Sequence, residues 1–331
     1  MRFLITGAAG FIGHGLALRL LQMGHDVTGV DSLNAYYDPA LKQARLDRLR
    51  PFAGFNFVQS DIAEPETLQP LHARGPFHAV VHLAAQAGVR HSIDAPFDYA
   101  RANLLGHLSI LEFCRHAQGA PHLVYASSSS VYGSQLQAPF RESDPVDRPD
   151  SLYAATKCAD ELMSSAYASL YRIPQIGVRF FTVYGPWGRP DMAYWLFSER
   201  VLRGEPIRVF NHGALLRDFT YIEDALDGLQ ALALTRPDLP ADRPHRVYNI
   251  GNNQPVALRD FIAAIERAAG RAAIQTLEPM QPGDVPMTCA DISAIARDYG
   301  YAPRTALDEG IGAFMGWLKG WQARSFGEVS V

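Results

Sequence analysis

The chain has 331 residues, 48% hydrophobic and 19% charged, with a net charge of −4 and an isoelectric point near 6.3. That is enough for a large core and a second lobe, and it excludes a surface basic enough to hold nucleic acid. Cys114, Cys158 and Cys289 lie far apart and read as free thiols, no His-Glu-x-x-His or Cys-x-x-Cys spacing suggests a metal, and no apolar run reaches membrane-spanning length. The first strand begins at Arg2, which leaves no room for a signal peptide, so a cytoplasmic location is expected.

Arg2-Phe3-Leu4-Ile5 predicts a short buried strand. Thr6-Gly7-Ala8-Ala9-Gly10-Phe11-Ile12-Gly13 follows, and then a helical pattern through Leu16, Leu18, Leu20 and Leu21. Gly7 and Gly10 permit a tight turn and close backbone approach to a pyrophosphate, which the helix N-terminus then faces. Gly13 lets helix and strand pack closely. Asp26 to Val30 predicts the second strand, closed by Asp31. An acid at that place accepts hydrogen bonds from a ribose hydroxyl and repels a 2′-phosphate, which favours NAD over NADP. Between Asn34 and Arg50 an insertion carries a basic helix with Lys42, Arg45, Arg48 and Arg50, and these charges predict a solvated face.

Phe55 to Val58 predicts the third strand, ending at Asp61-Ile62. Ala79 to Ala85 predicts a fourth, continuously apolar as a buried parallel strand is. One long helix is expected over 96–116, with Asn103 as a surface polar residue. His122 to Ala126 predicts the fifth strand and leads into Ser127-Ser128-Ser129-Ser130-Val131-Tyr132-Gly133. Hydroxyls just past a strand's C-terminal end stand at the rim where open α/β sheets bind ligands.

Ser151-Leu152-Tyr153-Ala154-Ala155-Thr156-Lys157 opens an apolar helical run through Leu162, Met163, Ala166 and Leu170, with Asp150 or Ser151 as its cap. Tyr153 and Lys157 lie four apart and share one face. A free tyrosine titrates near ~10, so work as a base near pH 7 needs a shift of about three units, roughly 4 kcal/mol. A fixed ammonium about 5 Å away supplies ~3 kcal/mol at an effective dielectric of ~20. A second positive charge, such as an oxidised nicotinamide ring, supplies the rest. The bare pair fits any amphipathic helix. Its place after the glycine turn and the serine loop makes it a candidate acid/base pair.

Gln175 to Phe180 predicts the sixth strand, after which the βα rhythm breaks at the glycine- and proline-rich loop Thr182 to Met192. A second, smaller lobe is expected to start there. Arg217 to Asp224 is expected to open a helix, and Val247 to Ile250 a short strand. Amphipathic helices are expected over 257–269 and 307–321, with a polar loop 281–285 between them and a poorly ordered tail over 323–331. This divides the chain into a Rossmann-type doubly wound parallel sheet (1–180, with a return around 218–250) and a C-terminal lobe (181–217 and 251–331).

Taken together, the glycine turn, Asp31, Asp61-Ile62, His82-Leu83-Ala84-Ala85, the serine loop ending Val131-Tyr132-Gly133, Tyr153-x-x-x-Lys157 and Arg217-Asp218 resemble the extended short-chain dehydrogenase/reductase family over almost the whole chain. Asn34 to Pro39, Tyr184 to Met192 and Met280 to Pro286 are similar to the UDP-glucuronate 4-epimerases within it. Thr182 stands where UDP-glucose epimerases have Asn, and Gln281 where they have Arg. The resemblance implies bound NAD, held by Gly7, Ala9, Gly10, Phe11, Ile12, Gly13, Asp31, Asp61, Ile62, Leu83, Ala84, Ala85, Asn103, Tyr153 and Lys157. It implies catalysis by Tyr153, Lys157 and Ser128, and a UDP-sugar substrate bound by Ser129, Ser130, Thr182, Arg189, Arg217 and Asp284. Family dehydratases and decarboxylases carry a Glu just before Val-Tyr-Gly, where this chain has Ser130. A homodimer built on 96–116 and 151–171 is implied by the same analogy. A UDP-glucose 4-epimerase, or another epimerase or decarboxylase of the family, is the alternative.

Overall fold

The computed structural model describes residues 1–135, 137–280 and 284–327. The first half runs β1 (Arg2–Thr6), α1 (Phe11–Gln22), β2 (Asp26–Asp31), α2 (Pro39–Asp47), β3 (Phe55–Gln59), β4 (Ala79–His82), α3 (His91–Asp94), α4 (Pro96–Tyr99), α5 (Gly106–His116), β5 (His122–Ser128), α6 (Leu152–Tyr171) and β6 (Gln175–Phe180). The second half runs β7 (Thr182–Tyr184), α7 (Ala193–Arg203), β8 (Ile207–Val209), β9 (Leu216–Tyr221), α8 (Ile222–Leu234), β10 (His245–Ile250), β11 (Pro255–Ala257), α9 (Leu258–Ala269), β12 (Gln275–Leu277), α10 (Ser293–Tyr299) and α11 (Leu307–Gly327).

The central sheet has seven parallel strands in the order β10-β6-β5-β4-β1-β2-β3. Successive side chains of β1 point to opposite faces. Phe3 and Ile5 join a core shared with α1, α8 and α10, while Leu4 joins a second core shared with α5. Both faces are therefore covered, as a parallel sheet requires. The chain reverses direction of growth between β1 and β4, and the crevice at the C-terminal ends of those strands is the usual ligand position in such sheets. A third core gathers Tyr184, Tyr194, Trp195, Phe219, Phe261 and Phe314, with Phe219 stacked on Phe261 at 4.1 Å between ring centroids. It underlies the three-stranded sheet β11-β9-β7 and the pair β12-β8.

Several local expectations are corrected. The apolar run from Ala79 leaves the sheet after His82, and Leu83 to Ala85 become the wall of the crevice. The helix over 96–116 contains a π turn at Ala100–Leu105, so its phase changes between α4 and α5. Arg217 to Tyr221 is strand β9, and the helix starts only at Ile222. The short strands β7, β8, β11 and β12 and the helices α7 and α10 were not expected from the pattern. Helix α11 continues to Gly327, past the expected end at Trp321. Gln281, Pro282 and Gly283 of the expected polar loop, and residues 328–331 of the expected tail, lie outside the described residues.

The largest correction concerns the basic helix. Lys42 is buried and Arg45 is 0% exposed. The Arg45 guanidinium donates to the carbonyls of Ala9 (3.0 Å), Trp187 (2.7 Å) and Gly188 (2.7 Å) and to the Tyr37 hydroxyl (2.6 Å). Arg48 lies over the Trp187 ring at 4.8 Å. Of the cations expected in solvent, Arg50 alone is exposed. Leu41 precedes Arg45 by four residues and Leu46 follows Lys42 by four, so these charges share the buried helical face.

Candidate active site

A cavity of about 1380 Å³ opens along the C-terminal edge of the central sheet and continues beneath the C-terminal segments. Gly7, Gly10, Phe11, Ile12 and Gly13 form its floor at the start of α1. Gly7 has φ +72°, and a Cβ there would stand 2.8 Å from the Ala84 nitrogen. A Cβ on Gly13 would stand 2.1 Å from the Gly7 carbonyl oxygen. Only glycine closes this turn, and it leaves a shallow cradle in front of the helix N-terminus that suits a pyrophosphate. Thr6 Oγ1 pairs with His82 Nδ1 at 2.7 Å and accepts the Ala84 N–H at 3.2 Å, which fixes the wall opposite. Burial pushes the His82 imidazole down to about 3, so it acts there as a neutral group.

Asp31 lines the cavity at the end of β2. Its carboxylate accepts the Leu33 N–H (2.9 Å) and the Ala9 N–H (3.1 Å), and Lys42 Nζ stands 3.9 Å away. Lys42 itself donates to Asn34 Oδ1 at 2.7 Å. Asp61 and Ile62 also line the cavity, with Asp61 paired to Arg101 at 3.0 Å. Two of the residues expected to hold the cofactor do not line the cavity. Ala9 is buried behind the turn, its N–H committed to Asp31 and its carbonyl to Arg45. Asn103 is neither on the surface nor in the cavity wall. Its Oδ1 accepts the Gln86 N–H, and its Nδ2 donates to the Gln86 carbonyl and to Thr156 Oγ1, so it braces the cavity wall against α6.

Helix α6 starts at the rim because the Ser151 hydroxyl accepts the Ala154 N–H at 3.1 Å. This brings Tyr153 and Lys157 to the cavity, Tyr153 half-buried and Lys157 buried below it. Lys157 Nζ donates to Asp160 Oδ2 at 3.0 Å. Burial opposes the Lys157 ammonium, but the charge of Asp160, with that of Tyr153, raises it overall. The Tyr153 ring meets Tyr99 edge-on at 6.1 Å, and Tyr99 is anchored on the carbonyls of Ala87 and Gly88. Ser128, Ser129 and Ser130 line the same cavity, with Thr182 on β7. Ser128 Oγ accepts the Ser130 N–H at 3.2 Å. The Ser127 hydroxyl donates to Glu161 Oε1 at 2.6 Å.

At the far end, Arg217 and Asp284 line the cavity, 4.0 Å apart. Burial lowers the Arg217 guanidinium, which makes that position receptive to an anion. Arg90 adds a second contact to Asp284 at 3.6 Å and lies over the Phe210 ring at 4.9 Å, with Arg208 at 5.1 Å from the same ring. Arg189 also lines the cavity and is held by Asp191, which accepts the Tyr36 hydroxyl at 3.1 Å. Sequence reasoning missed Tyr36, Asp191, Arg90 and Phe210. They come from separate loops and become neighbours only in the fold. It also missed Asp160, although its spacing of three from Lys157 was visible.

The model of the NAD dependent epimerase/dehydratase family matches residues 3–251. A probable UDP-glucuronate 4-epimerase of Rhizobium meliloti is 42% identical over 330 residues, covering 96% of this chain and 96% of the relative. UDP-glucuronate 4-epimerase 4 of Arabidopsis thaliana is 43% identical, covering 95% of this chain and 74% of the relative. The crystal structure of UDP-glucuronic acid 4-epimerase from Bacillus cereus, in complex with UDP-glucuronic acid and NAD, superposes with a TM-score of 0.87 at 32% identity. It covers 97% of this chain and 100% of that one.

Proposed function

The chain belongs to the NAD dependent epimerase/dehydratase family, and from that premise we propose that it interconverts UDP-glucuronate and UDP-galacturonate through a transient 4-keto sugar. The observation that carries this reading is the pairing of Tyr153 and Lys157 with a rim of neutral hydroxyls, Ser128, Ser129, Ser130 and Thr182, in one cavity. The glycine cradle and the Asp31 carboxylate fit NAD, which Gly7, Gly10, Phe11, Ile12, Gly13, Asp31, Asp61, Ile62 and Leu83 to Ala85 would hold. When bound, NAD supplies a reversible acceptor for the hydride at C4 of the sugar.

Tyr153 removes the C4 hydroxyl proton and returns it to the opposite epimer after the keto sugar has turned over. Ser128 donates to the same oxygen. The buried Lys157 ammonium favours the phenolate form of Tyr153. Arg217 holds the diphosphate, because a guanidinium fork matches phosphate oxygens, and Asp284 orients Arg217. Segments 181–217 and 251–331 form the lobe that grips the nucleotide-sugar. Ser129, Ser130 and Thr182 cradle the C6 carboxylate, with charge from Arg189. A 4-keto-glucuronate is a β-keto acid and loses CO2 when its C5–carboxylate bond aligns with the ketone π-system. The hydroxyl cradle holds that bond near the carbonyl plane and suppresses the loss. Ser130, in place of a carboxylate, leaves the C6 carboxylate unrepelled.

Two copies pair through the helices over 96–116 and 152–171. Leu162 and Leu170 stand 72% and 69% exposed on α6, and Phe97 on α4 is 85% exposed; pairing covers these apolar side chains. Among the described residues no helix is long and apolar enough to cross a membrane, and the free cysteines Cys114, Cys158 and Cys289 suit the reducing cytoplasm. The test is Tyr153→Phe, which loses most turnover while keeping NAD. Near-normal turnover in that variant rules the assignment out. Lys157→Met also loses activity and recovers part of it at high pH. A loss independent of pH makes Lys157 a positioning group alone.

A further inference from the structure

The ammonium that assists Tyr153 is not alone beneath the cavity. Asp160 is 0% exposed, one helical turn beyond Lys157, with Oδ2 at 3.0 Å from Lys157 Nζ. Its Oδ1 is buried with no partner among the described residues. The neighbouring Glu161 accepts from Arg179 Nε (2.9 Å) and Nη2 (2.7 Å) and from Ser127, so that acid is already balanced. The other titratable groups facing Asp160 are His107 of α5, whose ring hydrogen-bonds the Asp160 main chain, Tyr125 of β5, and Cys158 of α6, whose thiol burial pushes up to about 11. Burial keeps the His107 imidazole neutral and the Tyr125 phenol protonated. Lys157 is therefore the cation that Asp160 answers, and Asp160 is the anion closest to the charge on which Tyr153 depends.

We propose that Asp160 is a positioning residue that sets the pH range of proton transfer. It holds the Lys157 ammonium at the foot of the cavity and cancels part of the charge that Lys157 presents to Tyr153. The inference rests on the reading of Tyr153 and Lys157 given above. The sign follows from electrostatics. An ionised Asp160 disfavours the phenolate, so the acid limb of the rate profile lies at higher pH than Lys157 alone would place it. Burial pushes the Asp160 carboxyl up to about 6, against the pull of Lys157. The cancellation is therefore in force at neutral pH and lifts below about 6.

Asp160→Asn keeps the size and the acceptor oxygen and removes the charge. In the holoenzyme its acid limb of kcat moves to lower pH by about one unit, the scale of one charge in a partly screened interior. The ultraviolet difference absorbance of the phenolate, referenced to Tyr153→Phe, appears at a correspondingly lower pH. Asp160→Ser, which keeps a side-chain oxygen beside Lys157 and removes the charge, shifts both readouts in the same direction, so either variant that folds decides the matter. Superimposed profiles in a folded variant, or a loss of turnover equal at every pH in Asp160→Asn, overturn the proposal. An inactive Tyr153→Phe with unshifted Asp160 profiles removes this inference alone. An active Tyr153→Phe removes the underlying reading.

Discussion

Replacing Arg45 by methionine tests how the dinucleotide turn is joined to the rest of the site. The methionine chain replaces the buried methylenes, so the loss is polar. It strands the carbonyls of Ala9, Trp187 and Gly188 and frees the Tyr37 hydroxyl. Hydrogen bonds to a charged donor contribute ~1.5–3 kcal/mol each, and leaving buried acceptors unpaired costs a similar amount. These contributions share one donor and do not add. Removing a buried cation also relieves its own desolvation. The expected net loss is about 3–5 kcal/mol, a large part of the stability of an ordinary domain. Urea unfolding followed by fluorescence should place the midpoint lower by about 1 M or more with an unchanged slope. Because the Ala9 carbonyl belongs to the glycine turn, purified Arg45→Met should also carry less NAD. Arg45→Lys, a compact charge without the planar fork, should fall between the two. An unfolding free energy within ~0.5 kcal/mol of wild type, the range of ordinary surface substitutions, would refute the reasoning.

NADP should bind the apoprotein about 10–100-fold more weakly than NAD. At an effective dielectric of ~20 a phosphate charge ~4 Å from Asp31 is repelled by ~4 kcal/mol, and Lys42, 3.9 Å from Asp31, offsets part of that; Asp31→Asn should narrow the gap, and equal affinities in wild type would sink the assignment. Arg217→Ala should raise the apparent substrate constant by about 10–100-fold, the loss of a charge-assisted bond, and alter cofactor content less. Unchanged inhibition by UDP would make Arg217 a structural residue. Leu162→Glu should convert a dimer to monomer by analytical ultracentrifugation, and a dimer that persists would place the interface elsewhere.

The sheet was legible because its strands are short apolar runs set off by glycine turns, and a buried parallel strand leaves few other readings for Phe3-Leu4-Ile5 or Val80-Val81. The cavity lining was legible wherever its residues are neighbours in sequence, as in the glycine turn, the serine loop and the Tyr153–Lys157 spacing. Arg45 was misread because cations usually face water, and its acceptors on Ala9, Trp187 and Gly188 are remote in sequence. Asn103 was misread because the brace it forms needs Gln86 and Thr156 brought beside it. Strand β9 was missed because Arg217 to Tyr221 alternates too weakly to separate it from the helix that follows, and its partners β7 and β11 are only three residues long.

The central claim is tested most directly by incubating the purified wild-type protein with UDP-glucuronate and no added reductant, and separating the products by chromatography and mass spectrometry. The account predicts UDP-galacturonate of unchanged mass, little CO2 release and poor turnover of UDP-glucose in parallel. A pentose nucleotide as the main product, or a preference for UDP-glucose, would contradict the carboxylate cradle of Ser129, Ser130 and Thr182.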